Sequence, residues 1–218
     1  LDETEALPSI EIEEPTVKMT FGINTSPFMG KEGSYCTSRM LYDRLSRELR
    51  TNVSLRVETT AAPEVFLVSG RGELHLSILV ETMRREGFEF QVSRPEPVTK
   101  VVDGRVHEPY EHLSITTKDE FLGALTEYLS GRLAQLTNMK YDDAGNVSMD
   151  YRIPTRGLIG FTSFFLRTTR GNGVKSSVFI GYDPMKGEIK STATGVLVAH
   201  EPGVAVTDGG QKAIGSDT

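Results

Sequence analysis

The sequence predicts an α+β fold of two tandem β-α-β-β-α-β units with antiparallel sheets, plus a short β-rich C-terminal tail. Three observations predict it. Short β-branched runs alternate with stretches whose leucines recur at helical spacing. That order occurs once before the "RPEP" at 94–97 and once after it. A chain of 218 residues with 38% hydrophobic content has room for one large core or two small ones.

The elements follow in order. "TVKMTFGI" (16–23) alternates and reads as a strand. "NTSPFMGKEGS" (24–34) is loop, broken by Pro27, Gly30 and Gly33. Residues 37–50 form a helix with Thr37 as N-cap and Leu41, Leu45 and Leu49 on one face. "NVSLRVE" (52–58) and "EVFLVS" (64–69) are strands. "SGRGELHLSILVETMRREG" (69–87) is a tight turn and then a helix that buries Leu76, Leu79, Val80 and Met83. "FEFQVS" (88–93) closes the unit. Pro95 and Pro97 make "RPEP" a linker.

The order then repeats. "PYEHLSITT" (109–117) is a strand and 118–136 a helix. Thr117 and Glu120 are spaced as a capping box, and Leu122, Leu125, Leu129, Leu133 and Leu136 form a stripe. "TNMKYD" (137–142) and "NVSMDYRIP" (146–154) flank a "DAG" turn. A second helix (155–169) and the strand "GVKSSVFIGY" (173–182) complete the unit. This is the split βαβ, or ferredoxin-like, pattern written twice. The expected organisation is a lead-in at 1–14, domains at 15–95 and 96–186, and a tail at 187–218.

Charge and composition narrow the function. A net charge of -6 argues against a generic nucleic-acid binder. The acids concentrate early, however, with Asp2, Glu3, Glu5, Glu11, Glu13 and Glu14 in the first 14 residues. Residues 145–200 hold seven bases against Asp150, Asp183 and Glu188. The one cysteine, Cys36, excludes an intrachain disulfide. No apolar run approaches the roughly 20 residues that span a bilayer, and no signal-peptide pattern opens the chain. The "N-x-S/T" triplets at Asn24, Asn52 and Asn146 therefore read as chance matches. A cytoplasmic protein without membrane contact is expected.

Motifs for chemistry are missing. "GRGELHLS" has no lysine after a second glycine, so it is no P-loop, and Glu73 in the first turn would repel a phosphate. The dinucleotide fingerprint lacks its third glycine. In "HEPYEH" the histidines are five apart across Pro109 and cannot share a helical face, so no metal site is expected. "DDAGN" (142–146) reads as a hairpin turn, not a calcium loop. No constellation for nucleophilic or acid–base catalysis stands out.

Three stretches carry a family resemblance. "SGRGELHLSILVETMRREGFEFQVSRPE" (69–96) resembles the third domain of the elongation factor G superfamily of translational GTPases. "EPTVKMTFGINTSPFMGKEG" (14–33) and "IPTRGLIGF" (153–161) are similar to its BipA/TypA branch. The resemblance covers about 6–197. It implies a ribosome-associated factor whose third and fifth domains are the two units here, with 1–14 leaving a β-barrel domain. "TGVLVAHEPGVAV" (194–206) resembles the opening of the branch-specific C-terminal domain, and "TDGGQKAIGSDT" (207–218) departs from it. By this resemblance the chain should not hydrolyse GTP, and no cofactor is expected in it. GTP and magnesium would belong to the full-length parent. The implied partners are ribosomal RNA, ribosomal proteins and the parent's own GTPase domain, and a monomer is expected.

The residues suited to phosphate contact are Arg152, Arg156, Arg167, Arg170 and Lys175 in the second unit. Lys31 in the "FMGKEG" loop and Arg71 before the second helix join them. Arg84 and Arg85 read as a solvated helix end. A free-standing RNA-binding module with RRM-like domains is the alternative, because it shares the element order. It needs aromatics on the central strands, and "NVSLRVE" has none.

Overall fold

The computed structural model describes residues 14–27, 29–31 and 33–189. The expected barrel exit at 1–14 and the tail at 187–218 lie almost entirely outside the described residues. The first module comprises β1 (Val17–Ile23), α1 (Ser38–Glu48), β2 (Arg56–Thr59), β3 (Val65–Gly70), α2 (Glu73–Arg85), β4 (Phe90–Val92) and β5 (Glu96–Pro97). Its antiparallel sheet runs β2-β3-β1-β4, with β5 also on β1. Alternation along β1 sends Val17, Met19 and Phe21 inward, opposite Gly70, Val68 and Phe66 of β3. Leu41 and Leu45 of α1 and Leu76, Leu79 and Met83 of α2 close the core from above.

The second module comprises β6 (Lys100–Val102), β7 (Arg105–Lys118), a 3-10 turn (Asp119–Phe121), α3 (Leu122–Ser130), β8 (Gln135–Tyr141), β9 (Asn146–Pro154), α4 (Thr155–Leu158), α5 (Phe161–Thr169) and β10 (Gly173–Pro184). The order β10-β7-β9-β8 repeats the first sheet's topology. Leu113, Ile115, Met149, Tyr151 and Ile153 from the strands meet Leu125, Leu129, Phe161 and Phe165 from the helices. Two tandem ferredoxin-like units are the observed fold.

Several local expectations hold. Thr37 Oγ1 accepts the Met40 N–H at 3.3 Å and caps α1. Gly72 has φ +105, and a Cβ on Gly70 would stand 2.9 Å from His75 Nδ1 and from Leu76, so both glycines belong to the turn into α2. Asp142 accepts from the Ala144 and Asn146 amides and closes the β8–β9 hairpin.

Others are corrected. Thr117 is no helix cap. Ladder pairing with Val147 and Gly173 draws it into β7, where its buried hydroxyl donates to the Asn172 carbonyl. The helix that follows stops at Ser130, because the chain reverses through Leu133 at φ +63. Leu136 therefore sits exposed on β8. The helix expected at 155–169 is broken. Gly160 adopts φ +80, and Arg132 donates to the Ile159 carbonyl that the break releases. Leu49 falls beyond α1 and is exposed. Of "NVSLRVE", only Arg56 onward is strand. The hairpin β6–β7, turning through Asp103 and Gly104 at positive φ, was readable from its Asp-Gly pair.

Candidate functional site

The seven basic candidates do not form one patch. Arg156 is internal: its Nε donates to Glu108 Oε2 at 2.5 Å and its Nη2 to Glu108 Oε1 at 3.1 Å. The same Nη2 holds the carbonyls of Lys186 and Gly187. Glu108 is fully buried, so this guanidinium neutralises a carboxylate the fold has removed from water. Arg152 pairs with Asp183 and lies 4.2 Å over the Tyr110 ring. Arg167 and Arg170 are exposed at the end of α5. Arg167 Nε donates back to the Ser163 carbonyl, and Arg170 takes the left-handed C-cap at φ +51. Arg84 and Arg85 both bind Glu81, which they hold down to about 2, rather than standing free at the helix end.

Lys175 lies elsewhere again. It lines a cavity of about 210 Å³ between the modules, with Arg71, Glu73, Glu111 and Thr155. Desolvation lowers its ammonium pKa, opposed by the carboxylates of Glu111 and Glu73. Glu111 is buried and accepts the Thr155 hydroxyl at 2.8 Å. Glu73 crosses the junction. It sits in the first turn of α2, and its Oε2 accepts the N–H of Gly160, the N-cap of α5, at 2.8 Å. Two helix N-termini, one from each module, converge on one carboxylate. The turn into α2 is thus a joint and not a phosphate cradle.

Lys31 is exposed in the loop before α1. That loop is organised by Glu89, which sequence reasoning missed. Glu89 is 8% exposed. It accepts Asn24 Nδ2 at 2.7 Å, the Gly30 N–H at 2.9 and 3.0 Å, and the Gly33 N–H at 3.1 Å. Only the two glycines at 30 and 33 hinted at this arrangement.

One cluster imitates catalytic apparatus. Ser114 Oγ donates to Asp150 at 2.7 Å, and His112 Nε2 lies 3.2 Å from the same hydroxyl. The serine hydroxyl donates its hydrogen bond to the carboxylate, and the same imidazole nitrogen faces both partners, so no base–nucleophile relay is set up. Asp150 is held below the usual carboxylate range, chiefly by the Ser114 hydrogen bond and then by Asn138. Among the described residues no group of acidic, histidine or cysteine side chains could hold a metal ion, and no helix is long and apolar enough to cross a membrane.

Comparison with known proteins places this geometry. Residues 105–193, essentially the second module, match the family model described as elongation factor G C-terminus. The large ribosomal subunit assembly factor BipA of Synechocystis sp. is 49% identical over 204 residues, covering 94% of this chain and 34% of the relative. BipA of Salmonella typhimurium is 50% identical over 203 residues, covering 93% and 33%. Along nearly its whole length the chain is similar to the BipA/TypA branch. BipA of Haemophilus influenzae agrees, at 48% over 207 residues. The match to BipA runs through both modules, whereas the elongation factor G match covers the second. The chain spans about a third of the length of these curated BipA relatives.

Proposed function

We propose that this chain is the ribosome-docking portion of a BipA-type translational GTPase. It contacts ribosomal RNA and ribosomal proteins in the cytoplasm and relays the state of the GTPase domain of its parent. GTP and magnesium are bound by that domain, and this chain, which lacks a P-loop sequence, does not hydrolyse GTP itself. The observation that carries the reading is the near-50% identity to large ribosomal subunit assembly factors through both modules.

The site geometry supports it in a modified form. Lys31, Arg71, Arg167 and Arg170 are exposed and suited to phosphate contact. Arg152 and Arg156 serve internal pairs, so they support docking by shaping the second module. The junction at Glu73 and Gly160 gives the relay a physical path. The RRM-like alternative needs aromatics on the open face of the central strands. Lys18, Thr20 and Gly22 of β1 stand there, opposite Ser69, Leu67 and Val65 of β3.

Co-sedimentation of the purified chain with ribosomes across a salt series tests the reading, with circular dichroism to establish folding. Saturable binding that weakens steeply with salt is expected. A folded chain that stays in the supernatant at low salt refutes autonomous docking. Tight binding to short single-stranded RNA in place of ribosomes would favour the RRM-like alternative.

A further inference from the structure

We propose that the exposed face of α1 is a further docking surface, on which Arg39, Arg47 and Arg50 grip the phosphate backbone of ribosomal RNA. This rests on the ribosome reading above.

Arg39, Asp43, Arg47 and Arg50 fall on one stripe, because steps of four, four and three residues return to the same side of a helix. The helix ends at Glu48, and the turn that continues it carries Arg50, whose N–H bonds the Arg47 carbonyl at 3.2 Å. All four side chains are exposed. Among the described residues, the guanidinium groups of Arg39, Arg47 and Arg50 hold no hydrogen bond or ion pair. Other arginines nearby are committed. Arg44, buried on the same helix, holds Glu48 and Glu86. Arg84 and Arg85 of α2 hold Glu81. Of the acids beside the stripe, Glu48 and Glu86 are thus taken by Arg44, although Glu86 also feels the Arg47 charge. Asp43 remains, one carboxylate among three guanidinium groups.

Helix stability does not account for the stripe. Arg47 and Arg50 stand at the C-terminal end, where a cation suits the helix dipole. Arg39 stands in the first turn, where a cation is disfavoured. A side chain that works against its own element points to a use outside the fold. At 1.5 Å per residue, Arg39 lies about 12 Å from Arg47 and about 16 Å from Arg50 along the axis. A strand of a nucleic-acid duplex carries a charge about every 3.4 Å, so a row of this length meets several phosphates. Guanidinium forks take phosphate oxygens in pairs and position a protein without reading sequence. The row also stands on a fixed base. Thr37 caps the helix, Leu41 and Leu45 are in the core, and Arg44 clamps it to Glu86 at the end of α2. Little backbone ordering is left to be met on binding.

The experiment is the ribosome co-sedimentation salt series with three variants of the full chain. They are Arg39→Ala, the triple alanine variant at 39, 47 and 50, and the triple lysine variant at the same positions. Each lost phosphate contact lowers the slope of log affinity against log salt by about one. Arg39→Ala should lower it by about one and the triple alanine variant by about three. The triple lysine variant keeps the charge and should keep the slope. Urea unfolding separates docking from folding: Arg39→Ala should hold or raise the midpoint, since it removes a cation from the positive end of the helix dipole. A folded triple alanine variant that binds with the wild-type slope overturns the inference alone. Weaker binding at unchanged slope also overturns it and points to a ribosomal protein as the partner of this face. Should the triple alanine variant fail to fold, Arg39→Ala decides by the same criterion. A wild-type chain that does not bind overturns the ribosome reading and this inference together.

Discussion

Replacing Arg156 with alanine should destabilise the second module severely, and the structure gives the size. Glu108 has no solvent exposure, and Arg156 supplies both of its charge-assisted hydrogen bonds. Removing one partner of such a pair leaves an uncompensated buried charge, at about 3–5 kcal/mol. The substitution also frees the carbonyls of Lys186 and Gly187, which hold the chain where it leaves β10. Those groups lie at the surface and can turn to water, so their loss adds little. Against a typical domain stability of about 5–15 kcal/mol, the variant should sit near its unfolding threshold. Urea unfolding followed by circular dichroism measures the change. The paired replacement Glu108→Leu/Arg156→Met should recover most of the loss, because it removes both charges while keeping apolar volume. A cost below about 1 kcal/mol for Arg156→Ala, within the range of exposed pairs, would refute the assignment of this pair as buried and structural.

Two further outcomes are expected. Glu73→Ala removes the carboxylate shared by α2 and α5 and should cost about 1–2 kcal/mol. It should also expose the Gly160 amide to faster hydrogen exchange, and an amide that stays equally protected would show that Glu73 does not hold the joint. His75 accepts the Arg71 N–H at Nδ1, 3.1 Å away, and burial followed by the Arg71 charge pushes its pKa down despite Glu48. Between the depressed folded value and the unfolded value near 6.5, the unfolded chain binds more protons. The contribution of neutral His75 is therefore complete above about pH 6.5 and is lost as pH falls through the folded pKa. Urea midpoints from pH 7 down to 5 should decline, and less so in His75→Gln. An imidazole that titrates at or above 6.5 by NMR would sink this assignment.

The fold was legible because period and burial coincide at its centre. β1, α2 and β9 each alternate or repeat with one buried face, so sequence pattern and core agree. Legibility failed where tertiary contacts overrode local pattern. Thr117 has the spacing of a cap, but two neighbouring strands claim its backbone. Leu133 and Leu136 continue a helical stripe on paper, and no sequence rule announces the reversal between them. The site was less legible than the fold. An arginine excess between 145 and 200 suggested a free cationic face, while its neutralising acids, Glu108 and Asp183, stand 48 and 31 residues away from Arg156 and Arg152. Partners at that separation are visible only once the strands are aligned. Glu89 was hidden for the same reason, since its loop lies more than 50 residues upstream.

The connector between the modules has a mechanical consequence. β5 is bonded to β1, and β6 is bonded to β7, the longest strand of the second sheet. Between them lie Val98 and Thr99, and the Val98 N–H is itself tied to the Thr16 carbonyl. Two prolines that looked like a tether are therefore part of a splice. Both ends of the connection are anchored in paired strands, so only two residues separate one sheet from the other.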